Sequence, residues 1–192
     1  MSQTELDSSN VRVAITGAWY TGPTGVKIPE SGTAGLDKAM VNLGYVSDDG
    51  TERSVDRSSN DIKAWQRAAI VRKVITDASV SYKFTLIETK KEVLELYLGV
   101  TLSEDGIADI DPAQTGGRRS FNFDAIDGDE IFRAFIPEGE VTEVGSLKFA
   151  SGDPRAYELT ITAYGSAALD GKCERLYFTS LADVVKASRK AS

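Results

Sequence analysis

The sequence predicts a mainly β protein, a β-sandwich or barrel with one flanking α-helix. Three observations support this prediction. Apolar and polar residues alternate in several short runs, which is the period of half-buried strands. Turn residues separate these runs, and one segment alone carries helix start and stop signals. The chain has 192 residues, the size of one domain. We therefore expect a single domain over 1–192, with a flexible N-terminal arm (1–10) and a C-terminal tail (180–192).

The N-terminal half is predicted to contain several short strands. Val11, Val13 and Ile15 alternate with polar or small residues, whereas residues 17–35 are rich in glycine and proline and indicate a long loop. Asp49-Gly50 predicts a hairpin turn at 47–50, and polar residues 58–61 predict a second break. The predicted strands are 11–16, 40–46, 51–56, 62–65, 70–75 and 80–87.

One helix is predicted at about residues 89–98. Thr89 and Glu92 have the spacing of a capping box, and Gly99 is placed to end the helix in the left-handed conformation. Its apolar residues form a stripe that we expect to pack against a sheet. They are Val93, Leu94, Leu96, Tyr97 and Leu98.

The C-terminal half is predicted to be β-rich again. An acidic, glycine-containing loop covers 103–119, and Pro137 and Pro154 are expected between strands. The predicted strands are 121–124, 131–136, 141–149, 157–164 and 174–179. The tail beyond residue 180 has the apolar spacing of a short helix.

Composition argues against catalysis. The chain has no histidine and a single cysteine, Cys173, which removes the commonest general base and any intrachain disulfide. The acidic cluster from Asp124 to Glu130 lacks the register of an EF-hand. We expect no catalytic residue, no cofactor and no metal. Without a secretory signal or a long apolar segment, we expect the chain to stay in the cytoplasm when made.

Charge is unevenly distributed along the chain. Residues 51–75 have six basic and three acidic residues, a net of +3, whereas 99–145 have three basic and eleven acidic residues, a net of −8. The two segments are either independent solvated faces or complementary surfaces of a self-associating subunit. For the second alternative, the candidate subunit-interface residues are Trp19, Tyr20, Arg53, Arg57, Lys63 and Trp65.

Four segments, in this order and spacing, resemble one protein family. They are NLGYVSDDG (42–50), SNDIKAWQ (59–66), SYKFTLIET (81–89) and VLELYLG (93–99). Residues 10–25 and 157–162 fit the same pattern. Together they are similar to the major tail tube proteins of long-tailed, non-contractile bacteriophages, especially those of actinobacterial hosts.

The resemblance implies a structural role in the virion tail. It implies a β-sandwich with a flanking helix, six copies per ring, and rings stacked into a hollow tube. The implied partners are further copies of the chain and the tail tip or baseplate, tape measure and tail terminator proteins. Genomic DNA would pass through the lumen without specific binding, and no membrane is involved. Six chains at −7 carry −42, so an electronegative lumen would repel phosphates.

We hypothesise that strand edges, the 17–35 loop and the 47–66 hairpin region contact neighbouring copies, with the basic segment meeting an acidic partner. Three alternatives remain open. A tail terminator or head–tail joining protein would form one closed ring and no long tubes. A carbohydrate-binding module of a virion would expose an aromatic platform. A hydrolase would depend on a pair of carboxylates.

Overall fold

A computed structural model describes residues 8, 11–65, 67 and 69–181 of the chain. In this part, eight antiparallel strands form one sheet beside one α-helix, so the predicted mainly β class is confirmed. The strands are β1 Thr16–Gly22, β2 Val41–Asn42, β3 Val46–Lys63, β4 Ile70–Leu86, β5 Arg119–Asp127, β6 Glu130–Val144, β7 Tyr157–Ala163 and β8 Arg175–Phe178, and the helix is α1 Lys91–Leu98. The single-domain expectation stays a prediction, because most of the arm and tail lies outside the described residues.

The sheet curls so that its two ends approach each other. Its strand order is β2-β1-β5-β6-β7-β4-β3, with β8 added beside β6. The end strands β2 and β3 are separated by residues 43–45 alone, which can span at most about 14 Å. Trp19 Nε1 on β1 donates a hydrogen bond to Thr51 Oγ1 on β3 at 3.0 Å. The architecture is therefore barrel-like.

The core lies inside this curve and is built around Trp19. Its ring stacks on Phe84 with centroids 4.1 Å apart, stacks on Phe123 at 5.0 Å and meets Tyr82 edge-on at 5.5 Å. Helix α1 buries Val93 and other apolar residues in the same cluster and contacts β6 and β7. Each large apolar side chain buried in this way stabilises the fold by about 1.5–3 kcal/mol.

The first strand lies further along the chain than predicted. Val11, Val13 and Ile15 are exposed, and β1 instead begins at Thr16 and extends to Gly22, into the predicted 17–35 loop. This segment forms a strand despite its glycines because it pairs with β5 over seven positions and buries the central tryptophan of the core. The loop itself therefore begins at Pro23.

The predicted turns at 47–50 and 58–61 were wrong. Both segments lie within β3, at or beside positions where its register with β4 shifts, and the chain reverses at 64–69. Gly50, with φ +73°, occupies the first of these irregular positions. Bulges absorb residues whose local chemistry favours a turn while the strand continues on both sides. Two long strands therefore replace four predicted short ones.

The capping box was also wrong, although the helix and its glycine end were right. Lys90 is the N-cap and makes no side-chain capping bond, while the Thr89 hydroxyl lies 2.9 Å from the Tyr157 hydroxyl. Gly99 ends α1 with φ +69°. Pro137 lies inside β6, where that strand changes its neighbour from β8 to β7, so ladder pairing does not require its missing N–H.

Candidate functional site: assembly surfaces

A two-stranded ribbon extends beyond the rest of the sheet. Strand β4 pairs with β7 over Val80–Leu86 alone, whereas β3 and β4 continue as partners as far as Lys63 and Ile70. We call residues 56–79 the ribbon. Among the described residues, no third strand covers either edge of this segment. A two-stranded ribbon is only marginally stable in water by itself, so packing against another surface would stabilise this one.

The ribbon is cationic and carries apolar residues. It contains five basic and three acidic residues, a net of +2. Its turn places Trp65, 99% exposed, at the far end of the molecule's longest hairpin, and Ile70 and Ile75 are about 60% exposed. Exposed apolar surface interleaved with charge is typical of a protein contact site.

Cross-strand pairing divides the ribbon into two faces. Arg57 pairs with Ala78, Asp61 with Lys73 and Lys63 with Ile70, and these positions continue the side of the sheet that faces the core. We call this side the basic face. On the other side, residues 56, 58 and 60 face positions 79, 77 and 74, and serine, asparagine and aspartate predominate there. Three of the ribbon's cations, Arg57, Lys63 and Lys73, therefore lie on the basic face, whereas Arg72, the partner of Ile62, lies on the other side.

Of the predicted interface residues, Arg57, Lys63 and Trp65 lie exposed on the ribbon. Tyr20 is half-buried on β1. Trp19 is fully buried in the core and has no surface to present to another copy, so this member of the predicted set is a core residue.

Arg53 is engaged within its own chain. Its guanidinium pairs with the Glu174 carboxylate, and its Nε donates to the Tyr82 hydroxyl at 3.1 Å. The Tyr82 hydroxyl in turn donates to Glu174, whose side chain is 9% exposed. The bond to Glu174 raises the pKa of Arg53, and burial followed by the same carboxylate raises the pKa of Tyr82. This clamp fixes the base of the ribbon to the segment before β8.

A second surface, which the sequence analysis did not identify, is the outer face of strands β3, β4, β7 and β6. It lies opposite the buried side chains of those strands and carries hydroxyl and carboxylate groups. Thr142 and Thr162 hydroxyls are 2.9 Å apart, and Lys83 pairs with Glu158 at 3.2 Å. We call it the hydroxyl face: Glu52, Ser54, Ser81, Lys83, Thr85, Glu140, Thr142, Glu143, Glu158, Thr160 and Thr162. Four carboxylates and one lysine give it a net charge of −3.

The alternation of glutamate and threonine with apolar residues at 158–162 is visible in the sequence and could have indicated one strip of this face. The full face depends on which strands are neighbours. Because β3 and β6 are brought beside β4 and β7 by long-range pairing, local pattern alone does not reveal a continuous acidic surface.

A groove of about 340 Å³ lies between α1, residues 110–115 and the end of β6. Ile110 and Val144 stand on its walls and are 56% and 50% exposed. Asp111 and Glu143 also line it. The Tyr97 hydroxyl, at its inner wall, donates to the carbonyl of Gly145 at 2.6 Å and ties the helix to the strand. We call this feature the α1–β6 groove.

Acidic residues in the described ranges are not arranged for metal binding. No group of three or more potential ligands converges there. Asp124, the first residue of the acidic cluster, forms a two-point ion pair with buried Arg133, with Nε–Oδ1 and Nη2–Oδ2 both at 2.7 Å. Arg133 Nη1 also donates to the carbonyl of Ala34, which anchors the 23–40 loop. Within the same ranges, no helix has the length and apolarity needed to span a membrane.

Comparison with known proteins gives one family. The sequence profile described as phage tail tube protein matches residues 4–174. No curated protein matches the sequence significantly.

Three solved structures are similar in part. A chain from the virion of a native gene transfer agent particle is 14% identical with a TM-score of 0.39, covering 75% of this chain and 92% of that one. A chain from the extended sheath–tube complex of an extracellular contractile injection system (PVC) is 9% identical, with a TM-score of 0.44 and coverage of 91% and 100%. A chain from the tail of an empty gene transfer agent particle, with C6 symmetry, is 13% identical with a TM-score of 0.38, covering 81% of this chain and 95% of that one. Scores this low establish neither a shared fold nor a shared function.

Proposed function

This chain belongs to the phage tail tube protein family, and we propose from this premise that its copies form stacked hexameric rings around a channel with an electronegative lumen. The observation that carries the proposal is the family match over residues 4–174, which includes every strand except β8. The role is structural rather than catalytic. The tail tip or baseplate, tape measure and tail terminator proteins are its proposed partners in the virion.

We place the hydroxyl face on the channel wall. Its net charge of −3 per chain would give −18 per ring of six, and its one lysine is already paired with Glu158. Hydroxyls bind water well without attracting phosphates, and carboxylates repel them. Because each cation–phosphate contact strengthens DNA binding, a wall without accessible cations lets DNA pass without being held.

We place the ribbon in the contact between copies. Its uncovered edges and its basic face offer hydrogen-bonding groups, apolar surface and cations at one place. Such an edge is a hazard in a protein that must remain single, and it is useful in a protein that must polymerise. Arg57, Lys63, Trp65 and the half-buried Tyr20 therefore remain proposed contact residues, whereas Trp19 and Arg53 act inside the chain.

Negative-stain electron microscopy of the purified full chain tests the proposal. Hollow tubes, formed alone or after addition of tail-tip proteins, are the expected result. Single closed rings without longer tubes would favour a terminator or joining protein. Chains that remain single at high concentration, even beside the tail-tip proteins, would overturn the proposal.

Lysines on the hydroxyl face test the position of the channel wall. The double variant Thr160→Lys/Thr162→Lys adds twelve cations to a ring of six chains. We expect its tubes to retain a short fluorescent oligonucleotide on sedimentation at low salt and to release it as salt rises. Two lysines on the exposed 145–156 loop, at Ser146 and Ser151, provide the matched control. Equal retention by both variants would place the hydroxyl face away from the lumen.

A further inference from the structure

We infer that Trp65 of one copy docks into the α1–β6 groove of a second copy. The inference deepens the proposed function and rests on it, because it names the surface that receives the ribbon. It starts from an isolated aromatic side chain. Trp65 is 99% exposed at the ribbon turn, so it does not occupy the groove of its own chain.

The groove has the chemistry that this side chain requires. Its walls include Ile110, Pro112 and Val144, and two of these are at least half exposed in the single chain. Its volume of about 340 Å³ accommodates one indole side chain. Tryptophan in an apolar pocket concentrates binding energy more than most residues at protein interfaces.

Charge at the two surfaces is complementary. Lys63 and Arg67 lie on either side of Trp65 and are exposed, whereas Asp111 lines the groove. The loop that supplies one wall, residues 100–117, has four acidic residues and no basic residue. An aromatic group flanked by cations would therefore meet an apolar groove flanked by carboxylates, and the charges would fix its orientation and partner.

The arrangement also has a consequence for symmetry. The ribbon turn and the groove are different parts of one chain, so contact between identical copies is head-to-tail. Head-to-tail contacts continue from copy to copy and produce a ring where they close or a filament where they do not. This geometry is the one that a tube of identical subunits requires.

Fluorescence quenching tests whether Trp65 becomes buried. The chain has two tryptophans, and Trp19 is fully buried before assembly. In single chains, we expect acrylamide to quench the emission of Trp65, about half of the total, readily. In tubes, this readily quenched fraction should disappear. A Trp65→Phe variant gives the Trp19 signal alone. Tubes in which Trp65 stays as accessible as in the single chain would overturn the inference and leave the proposed function standing.

Crosslinking tests where Trp65 docks. Two variants are made in a Cys173→Ser background, one with Trp65→Cys and one with Val144→Cys. Small amounts of both are mixed with an excess of Cys173→Ser chains so that tubes still form. Mild oxidation is expected to link the two variants to each other. Phe149→Cys, exposed outside the groove, is the matched control. Linking to position 149 as readily as to 144 would overturn the inference, and chains that never assemble would overturn it together with the proposed function.

Discussion

Charge reversal at two positions of β3 separates folding from assembly. Arg53→Glu should destabilise the isolated chain, whereas Arg57→Glu should leave its stability unchanged and weaken tube formation. The two arginines lie four residues apart on the same side of one strand. Arg53 is bound to Glu174 and Tyr82, while Arg57 is exposed and makes no ion pair with another described residue.

The expected loss at Arg53 is about 3 kcal/mol. A hydrogen bond to a charged group contributes about 1.5–3 kcal/mol, and the variant removes this bond and places a second carboxylate against Glu174. Two like charges at contact distance add a further cost, of which solvent removes much because the Arg53 side chain is one-third exposed. At Arg57 an exposed substitution changes the free energy of unfolding by less than about 0.5 kcal/mol.

Urea unfolding of single chains, followed by tryptophan emission, measures the difference. With a slope of about 3 kcal/mol per M, the Arg53→Glu midpoint should fall by about 1 M while that of Arg57→Glu stays at the native value. Electron microscopy of the same samples then reports assembly. Equal midpoints for the two variants would refute the clamp at the ribbon base, and normal tubes from Arg57→Glu/Lys63→Glu would refute a contact through the basic face.

Three further predictions concern the fold. Asp124→Ala should lower the free energy of unfolding by about 3–5 kcal/mol because it leaves Arg133 buried and unpaired. The double variant Asp124→Leu/Arg133→Met should lower this free energy by less. Equal losses for the two variants in urea unfolding would contradict the prediction. Gly139→Ala should cost about 1–3 kcal/mol in the same assay because its Cβ would lie 2.8 Å from a phenylalanine ring atom, whereas Gly35→Ala meets nothing within 4 Å and should be neutral. Burial raises the pKa of the Cys173 thiol, so its alkylation near pH ~8.5 should be faster in the unfolded chain than in the folded chain. Equal alkylation rates in the two states would contradict this burial.

Local pattern predicted the elements whose signals are local. The strand at 80–86 alternates strictly, and the structure buries Tyr82, Phe84 and Leu86. Gly99 ends the helix as expected because a left-handed C-cap is a property of a few adjacent residues. The strand predicted at 157–164 is β7, Tyr157–Ala163, and every second residue of it is buried, as its alternating sequence predicts.

Features set by distant partners could not be predicted in the same way. Asp49-Gly50 has good turn chemistry, yet pairing with β4 on both sides turns it into an irregular segment within one strand. Pro137 is tolerated because two different strands neighbour β6 before and after it. Thr89 has the right spacing for a cap, but the Tyr157 hydroxyl, 68 residues away, is its partner instead.

The candidate site shows the same division. The two tryptophans have opposite positions, because Phe84 and Phe123 enclose Trp19 and no described residue encloses Trp65. Arg53 and Arg57 look equivalent in sequence until Glu174, 121 residues from Arg53, is brought beside it. Which of several similar residues is available for assembly is therefore a property of tertiary packing.

Charge on the ribbon also bears on which assembly forms. Two uncovered ribbons could in principle pair edge to edge and give a symmetric dimer that does not grow. Each ribbon carries a net +2, so this pairing brings like charges together along its length, and lysines near a strand edge oppose such pairing in other β proteins. Residues 100–117, with a net of −4, offer the opposite sign at a different place on the chain. Electrostatics thus disfavours the closed dimer and favours the head-to-tail contact, which leaves a ribbon and a groove available after every addition.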